Sequence, residues 1–255
     1  MCQVKISIIT VTYNSEKTIR TTLDSVAKQT WSDIEHIIID GKSSDRTLEI
    51  VKEFPHISKV ICEEDEGIYD AMNKGVRESS GNIIGFLNSD DWFYSTSIAQ
   101  KIHEAFSLDD IDAVYGDLVF VNNELDIIPK RIWISEPYKS KAFLSGWVPP
   151  HPTFYAKKSV YQRYGVFNSK LMFAADFDIM CRFIEKEGII ASYLPGYMVK
   201  MRLGGATTKN ITNIIKGNIE IFKSLQANGL SPGLSFIIKK ILLKLKQLNI
   251  SKLNK

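Results

Sequence analysis

Residues 5–12 read KISIITVT, an almost unbroken run of apolar and β-branched side chains. Strands that are buried on both faces of a parallel sheet have this composition, whereas half-exposed strands alternate apolar with polar residues. We therefore predict a central strand here. Ser15 is a good N-cap for a helix over residues 16–28, and a second apolar run at 34–39 ends abruptly at Asp40 and Gly41. The resulting order is strand, helix, strand.

The same alternation continues through residue 87. The predicted elements are, in chain order, a helix from near residue 45 that stops before Pro55, a strand over 59–62, a helix over 68–79 and a strand over 82–87. Four strands alternating with helices predict an α/β fold, with a doubly wound sheet and helices on both faces. Ligands of such sheets bind beyond the carboxyl ends of the strands.

The alternation weakens after residue 110. The predicted elements there are a strand over 113–121, helices near 157–164 and 176–187, and a C-terminal amphipathic helix over 234–248. We divide the chain into one domain over 1–205 and a C-terminal helical appendage over 206–255. Within the domain, residues 1–110 form a nucleotide-binding half and residues 111–205 an acceptor-binding half.

Composition narrows the class of protein. The 255 residues carry 32 basic and 29 acidic side chains, a balance that does not favour nucleic-acid binding. The three cysteines lie far apart without a C-x-x-C pair, so we expect neither a disulfide framework nor a zinc site. We expect no secretory signal and no transmembrane helix. These features favour a cytoplasmic location.

Polar residues follow three of the predicted strands. They are Thr12, Tyr13 and Asn14 after the first strand, residues 40–45 (DGKSSD) after the second, and residues 88–91 (NSDD) after the strand over 82–87. Because parallel strands end at one edge of a sheet, we expect these groups to face one crevice. Asp, Asn, Ser and Gly are also ordinary turn residues, and Asp45 is also a suitable helix cap.

The adjacent carboxylates Asp90 and Asp91 are the most specific of these groups. Two neighbouring carboxylates repel one another unless a cation or strong hydrogen-bond donors share the site. Mn²⁺ or Mg²⁺ suits one or two carboxylates together with phosphate oxygens of a ligand. The pair therefore predicts a divalent metal and a ligand that contains phosphate.

A series of segments, in their order along the chain, resembles glycosyltransferase family 2. The segments are SIITVTYN, IIIDGKSSDRT, EDEGIYDAMNKGV, GNIIGFLNSDDW and PHPTFY followed by AADFD. The resemblance covers roughly residues 4 to 200. It implies the GT-A fold, a nucleotide-sugar donor with UDP as the expected nucleotide, and inversion at the anomeric carbon. It also implies a saccharide acceptor, expected to be lipid-linked, in assembly of a surface polysaccharide such as O-antigen or capsule.

The resemblance also implies roles for single residues. Thr12 and Tyr13 lie near the nucleotide base, Asp40 accepts a hydrogen bond from uracil, and Asp90 with Asp91 occupies the D-x-D position. Asn88 departs from the family, which often has a carboxylate there, so we assign Asp90 as the main metal ligand. Asp91 assists directly or through the ribose. The other predicted donor contacts are Asn14, Ser89, Asp70, Asn73 and Lys74, the last of which could neutralise diphosphate charge.

Helical spacing suggests a catalytic base in the second half. Asp176 shares a helix face with Ile179, Met180 and Phe183 and so should point inward, whereas Asp178 points away. The family resemblance agrees, because residues 175–176 align with a Glu-Asp pair whose Asp is the general base, although Ala175 replaces the Glu. The simpler role for Asp176 is a helix cap.

Two further residues, His151 and Trp147, are predicted to contact the acceptor, and His151 alternatively contacts phosphate. The lysine-flanked apolar stripe of residues 234–248 predicts either peripheral attachment to a membrane or packing on the protein's own core. One alternative function is a sugar-phosphate nucleotidyltransferase, but the usual Gly-rich loop after the first strand is absent, because the segment TVTYNSEKT contains no glycine. The other alternative is a non-catalytic nucleotide-sugar-binding protein.

Overall fold

The computed structural model describes residues 4–108, 110–126, 128–204 and 211–233, together with residues 236, 240 and 242. Its strands are β1 (Ile6–Thr12), β2 (Ile34–Asp40), β3 (Ile57–Cys62), β4 (Ile83–Phe86), β5 (Trp92–Phe93), β6 (Ala113–Val121), β7 (Arg131–Trp133), β8 (Tyr155–Lys157) and β9 (Ala191–Arg202). Its helices are α1 (Ile19–Ala27), α2 (Thr47–Lys52), α3 (Ile68–Glu78), α4 (Ile98–Leu108), α5 (Lys158–Tyr164), α6 (Ala175–Cys181) and α7 (Ile211–Ala227). Two 3₁₀ turns occur at Ala142–Ser145 and His151–Thr153, and α6 continues into a π-helical turn at Arg182–Lys186.

The strands form one mixed sheet in the order β3-β2-β1-β4-β8-β6-β9-β5, with β7 paired to β6. β1 to β4 pair in parallel, and β8 joins β4 to β6 by antiparallel pairing on both sides. β6 and β9 then run parallel to each other. The predicted doubly wound α/β architecture is confirmed, and β1 lies inside the parallel part as its composition indicated.

Strand β1 is buried on both faces, which explains its continuous apolar sequence. Ile6 and Ile8 belong to a core cluster that includes residues of α4, and Ile9 and Val11 belong to a second cluster with residues of α3 and α6. Three of these side chains, Ile6, Ile8 and Ile9, have no exposed surface. Helices therefore cover the sheet on both sides of β1.

The larger core cluster crosses the predicted divisions of the chain at residues 110 and 205. It contains Ile9 from the first half, Tyr115 from the second, and Leu225 and Phe236 from the C-terminal appendage. The division into a nucleotide half, an acceptor half and an appendage stays a prediction, but the hydrophobic core is continuous across it.

The first helix begins later than predicted. α1 starts at Ile19 because the carbonyl of Ser15 accepts hydrogen bonds from the amides of Thr18 and Ile19, forming a turn before the helix. The Ser15 hydroxyl does not cap α1 and instead lies 2.9 Å from the Ser89 hydroxyl. The predicted role of Ser15 as the N-cap is therefore wrong, because Ser15 lies in the turn before α1 and its hydroxyl contacts a distant loop.

The C-terminal region contains helix α7, which lies within the predicted helical appendage over 206–255 but before the helix predicted over 234–248. The predicted helix over 234–248 lies mostly outside the described residues. Of its members that are described, Phe236 is buried in the core and Leu242 is 54% exposed. Among the described residues, no helix is long and apolar enough to cross a membrane.

His36 on β2 is a buried histidine that contacts the partly buried His56. His36 on β2 has no exposed surface, its Nε2 lies 3.0 Å from the Thr10 hydroxyl, and its Nδ1 lies 3.0 Å from Nε2 of His56. Burial, with a smaller contribution from the nearby His56, lowers the pKa of His36 from 6.5 to about 3. The folded protein therefore holds His36 neutral at pH values where the unfolded chain would be protonated.

This difference predicts acid-sensitive stability. Below pH 6.5, the unfolded chain binds a proton at His36 that the folded protein does not, so unfolding becomes easier as the pH falls. From pH 6.5 towards about pH 5, this residue should lower the unfolding free energy by up to about 1.4 kcal/mol per pH unit. Denaturant unfolding of the wild type, His36→Gln and, as a control, His103→Gln measures the slope. The account is wrong if His36→Gln keeps the wild-type slope.

Candidate active site

The carboxyl ends of β1, β2 and β4 bring three loops together. These are residues 12–16, residues 40–47 and residues 88–91, and we call the space between them the strand-end crevice. Thr12 is paired in register with Asp40, so the first two loops leave the sheet side by side. The Asn14 amide donates to the Ser43 hydroxyl at 2.8 Å, and the Asn14 side-chain oxygen accepts from the Ser44 amide at 2.9 Å.

The third loop is tied to the same assembly. The hydroxyls of Ser15 and Ser89 lie 2.9 Å apart, and the Thr22 hydroxyl of α1 donates to the Asp91 carbonyl at 2.7 Å. The amide of Glu16 donates to Asp45, whose other oxygen accepts from Thr47 at the start of α2. Asp45 thus links two loops in addition to its expected role near a helix start.

The residues predicted to meet the nucleotide base differ in exposure. Tyr13 is 65% exposed, whereas Asp40 has no exposed surface. Both carboxylate oxygens of Asp40 accept hydrogen bonds from Ser43, and Cys62 also donates to one of them. A bond from uracil to Asp40 would therefore require this arrangement to open, and in the present structure Asp40 fixes the second loop.

A carboxylate that the sequence analysis did not select lies beside Tyr13 and the second loop. A Cβ atom at Gly41 would lie 2.9 Å from Oδ2 of Asp65 and 3.5 Å from the Tyr13 ring. A larger residue at position 41 would therefore have to displace the Asp65 carboxylate. The position of Asp65 in EDEGIYDAMNKGV, a segment already linked to the donor, was the available signal.

Asp90 and Asp91 face different environments. Asp91 is completely buried, and one of its oxygens accepts a long hydrogen bond of 3.4 Å from the Arg202 amide. Burial and then the neighbouring Asp90 charge raise the pKa of Asp91 well above its usual range. Asp90 is partly exposed, and burial raises its pKa while Arg202 and His151 oppose the shift. Asp90 is therefore the carboxylate that a ligand in the crevice can reach.

The loop contains buried oxygens without hydrogen-bond partners. They are Oδ1 of Asn88 and Oδ2 of Asp91, and Oγ1 of Thr12 is a third at the end of β1. Unsatisfied buried oxygens are costly and are expected where a ligand or cation completes the site. The described residues contain no group of three or more His, Cys, Asp or Glu side chains that could hold a metal.

The predicted donor residues of α3 have protein partners in this structure. The Asn73 side chain is buried, and its amide group exchanges two hydrogen bonds of 2.9 Å with the backbone of Phe167. Asn73 therefore joins α3 to the loop before α6, and its buried side chain is not available to contact a nucleotide-sugar donor. Asp70 accepts from the Glu66 amide at 3.2 Å and remains partly exposed.

Lys74 is surrounded by carboxylates. Its Nζ lies 2.7 Å from Asp65, 3.1 Å from Glu63 and 3.4 Å from Asp70, and the side chain is 12% exposed. Although burial opposes it, hydrogen bonding to Asp65 and Glu63 raises the pKa of Lys74 well above its ordinary value. The charge that was predicted to neutralise a diphosphate is thus already balanced by the protein.

Asp176 lies in the first turn of α6 and contacts α3 and the turn at His151–Thr153. Oδ1 of Asp176 accepts hydrogen bonds from the Tyr69 hydroxyl at 3.3 Å and the Phe177 amide at 2.8 Å, and Oδ2 lies 3.2 Å from Nδ1 of His151. Asp176 and His151 are each about a quarter exposed. Burial and the Asp176 charge raise the pKa of Tyr69 well above its usual range, so Tyr69 remains a donor. The structure therefore joins two residues that were predicted separately.

Helix α7 fixes the position of α6. Asp178 is buried, and its carboxylate accepts hydrogen bonds from the Ser224 hydroxyl at 2.7 Å and the Asn228 side-chain amide at 3.2 Å. Glu220 accepts from the amides of Met172 and Phe173, just before α6. Asp178 does point away from the Asp176 face, and it points into α7.

Trp147 packs inside the second half of the protein. Its ring contacts Tyr115, Tyr138 and Phe143 with centroid distances of 5.4 to 5.8 Å. It is only partly exposed, so its role as an acceptor contact stays a prediction. Arg202, which lies beside Asp91, was not selected from the sequence because nothing in its local pattern marks a residue so far along the chain.

Comparison with known proteins identifies the class of protein that this fold and site define. Residues 7–173 match the family model described as Glycosyl transferase family 2, which is more than half of the chain. The chain belongs to glycosyltransferase family 2 and is a glycosyltransferase.

Particular relatives agree with this assignment. A PGL/p-HBAD biosynthesis glycosyltransferase of Mycobacterium bovis (strain BCG / Pasteur 1173P2) is 28% identical over 194 residues, which cover 74% of this chain and 73% of the relative. The crystal structure of S. aureus TarS 1–349 in complex with UDP-GlcNAc superposes with a TM-score of 0.71 at 19% identity, over 98% of this chain and 73% of that TarS fragment.

A mannosyltransferase, PcManGT from Pyrobaculum calidifontis, in complex with GDP-Man and Mn²⁺, gives a TM-score of 0.67 at 15% identity over 99% of this chain and 76% of that protein. Another TarS crystal structure contains a longer chain, of which this protein spans 41%. At these identities the superpositions confirm the GT-A-like fold.

The partners of Lys74 predict a stability role. Lys74→Met would leave three carboxylates close together without their shared cation, and we expect a loss of about 1–3 kcal/mol in unfolding free energy. Lys42→Met is the matched control, because Lys42 is 57% exposed and pairs with Glu64 at 3.1 Å, so its removal should cost less than about 1 kcal/mol. If Lys74→Met instead kept full stability and lost only UDP affinity, Lys74 would be a diphosphate ligand.

Proposed function

We propose that this protein is an inverting glycosyltransferase that moves a sugar from a UDP-sugar to a saccharide acceptor during assembly of a surface polysaccharide. The observation that carries the proposal is the strand-end crevice, where Asp90 is the partly exposed carboxylate of the third loop. Asp176 and His151, whose Oδ2 and Nδ1 atoms lie 3.2 Å apart, are the pair that we assign to the acceptor side of the sugar. Transfer of a sugar from a diphosphate to an acceptor needs an acidic group on each side of the sugar. Asp90 would serve the diphosphate side and Asp176 the acceptor side.

The nucleotide half of the proposal is supported by the first two loops. The exposed Tyr13 ring offers a flat surface on which a base can stack. Asp65, which lies beside Gly41 as Tyr13 does, can accept a hydrogen bond from that base. TarS crystallised with UDP-GlcNAc has the same fold, which favours a UDP-sugar over other phosphate ligands. A nucleotide-binding protein without catalysis would not need the hydrogen-bonded Asp176 and His151.

Asp90 is the residue that we propose to hold the metal, with Asn88 and Asp91 completing the loop. A bound Mn²⁺ or Mg²⁺ would supply a Lewis acid that neutralises the charge of the leaving diphosphate. Asp91 keeps the loop in place through its Arg202 contact, and its buried oxygen adds negative potential to the site. The fold match to PcManGT, whose crystals contain Mn²⁺, supports the choice of ion.

We further propose that the protein binds an anionic membrane, where a lipid-linked acceptor resides. The outward face of α7 carries Ile214, Ile215, Ile219 and Phe222, which are 38% to 54% exposed. The exposed lysines at 216 and 223 flank this face, whereas the acidic Glu220 points inward to Met172 and Phe173. An apolar face with flanking lysines is suited to anionic lipid. Because the inward face holds α6, membrane contact would occur beside the catalytic helix.

The metal assignment predicts that Asp90→Ala abolishes Mn²⁺-dependent transfer. We expect the rate of UDP release from a UDP-sugar with acceptor to fall by about 10²-fold or more, because the charge on the leaving group is no longer neutralised. Asp110→Ala, which removes a fully exposed carboxylate whose ion-pair partner among the described residues is Lys157, is the control and should keep wild-type activity. Near-native activity and Mn²⁺ dependence in folded Asp90→Ala would refute the assignment.

The membrane proposal predicts weaker vesicle binding when charge is placed on α7. The double variant Ile215→Glu and Ile219→Glu should lower co-sedimentation with anionic vesicles at least about tenfold, and the wild type should bind neutral vesicles weakly. Leu125→Glu is the control, since Leu125 is 83% exposed elsewhere on the surface. Removal of residues 232–255 tests the contribution of the C-terminal segment. Unchanged binding in the double variant would exclude the α7 face as the contact.

A further inference from the structure

The segment that leads into α6 is held by side chains from distant parts of the chain. Residues 165–174 contain no helix or strand. Arg182 donates to two backbone carbonyls around the start of this segment, and Asn73 bonds the backbone shortly after that. Glu220 of α7 accepts from two amides at its end. The position of Asp176, which follows directly in α6, therefore depends on bonds made by other elements.

Glu220 binds this segment with both of its carboxylate oxygens. Oε1 accepts from the Met172 amide at 3.1 Å, and Oε2 accepts from the Phe173 amide at 2.8 Å. These two residues come directly before Ala174, the N-cap residue of α6, whose side chain cannot accept a hydrogen bond. Glu220 thus orders the chain at the point where α6 has no side-chain cap of its own.

A row of polar side chains on α7 faces α6 and fixes the place of Glu220. The row contains Glu220 and Ser224, with Asn228 directly after the helix, and residues four apart lie on one face of a helix. Ser224 and Asn228 both bind Asp178 of α6. Leu225, beside this row, has no exposed surface and belongs to the larger core cluster. The Glu220 carboxylate is therefore carried by a helix that is anchored in the core.

We propose that Glu220 is a positioning residue for Asp176, an assignment that rests on the proposed transferase function. Asp176 lies three residues after Phe173, so the path of the chain into α6 sets where its carboxylate lies. A misplacement of a reacting group by about 1 Å can lower a rate by about 10²-fold. Glu220 acts through the backbone amides that it binds and does not itself touch the sugar.

Two substitutions of Glu220 test this role in a graded way. Glu220→Ala removes both acceptors, whereas Glu220→Gln keeps one side-chain oxygen at the same reach. With a UDP-sugar and acceptor, kcat should fall about tenfold or more in the alanine variant and about threefold in the glutamine variant, with the KM for the UDP-sugar unchanged within about twofold. Gln226→Ala, at an exposed position of the same helix, is the matched control and should keep wild-type kinetics.

Wild-type kcat in folded Glu220→Ala would overturn the assignment. If the alanine variant does not fold, the glutamine variant decides in the same way. An equal rise of the KM for the UDP-sugar and loss of kcat would also overturn it, because Glu220 would then affect the donor site as well.

A double-variant cycle shows whether Glu220 acts through Asp176. In an Asp176→Asn background, the added Glu220→Ala substitution should lower kcat by no more than about twofold, because the group that Glu220 positions is already lost. A loss as large as in the wild-type background would contradict the assignment.

Amide hydrogen exchange tests the contact without substrate. The amides of Met172 and Phe173 should exchange at least about tenfold faster in Glu220→Ala than in the wild type, and Gln226→Ala should leave them unchanged. Unchanged exchange in Glu220→Ala would show that Glu220 does not hold the segment. A wild type that neither transfers nor hydrolyses any UDP-sugar would reject the proposed function, and the catalytic role of Glu220 with it, even where the exchange result establishes the contact.

Discussion

The in-register pairing of β1 with β2 is the constraint on which the site depends. It ends both strands at the same level, so the loops after Thr12 and Asp40 leave the sheet together. Parallel pairing of β1 with β4 adds the third loop. Hydrogen bonds from Asn14 and Ser15 then join the three loops into one wall. A shift of one residue in this register would exchange the two buried faces of β1 and separate these contacts.

The position of Asp176 depends on contacts between residues that are distant in sequence. Helix α6 is held from behind by α7 through Asp178 and from the front by Tyr69 and His151. Because α7 belongs to the same continuous core, the C-terminal region contributes directly to the geometry of Asp176. An interaction on the outer face of α7 would therefore lie one helix away from Asp176, and this would give a physical route between the proposed membrane contact and the proposed site.

Sequence reasoning predicted the features that arise from local patterns. The apolar runs located the four parallel strands, and the polar residues after them marked the crevice, because strand ends are encoded by adjacent residues. It could not show which way a polar side chain turns. Asp40 and Asn73 look like ligand contacts but are bonded inside the protein, and Lys74 is neutralised by three carboxylates. The pairing of His151 with Asp176 was also invisible, since 25 residues and an entire helix separate them.

The central claim is that the strand-end crevice binds a nucleoside diphosphate together with a divalent metal. Calorimetric titration of UDP into the wild-type protein, with and without Mn²⁺, tests it most directly. The account predicts one UDP site per chain and at least about tenfold tighter binding with Mn²⁺, because the ion is shared between Asp90 and the phosphates. Absence of UDP binding, or an affinity that Mn²⁺ leaves unchanged, would contradict it.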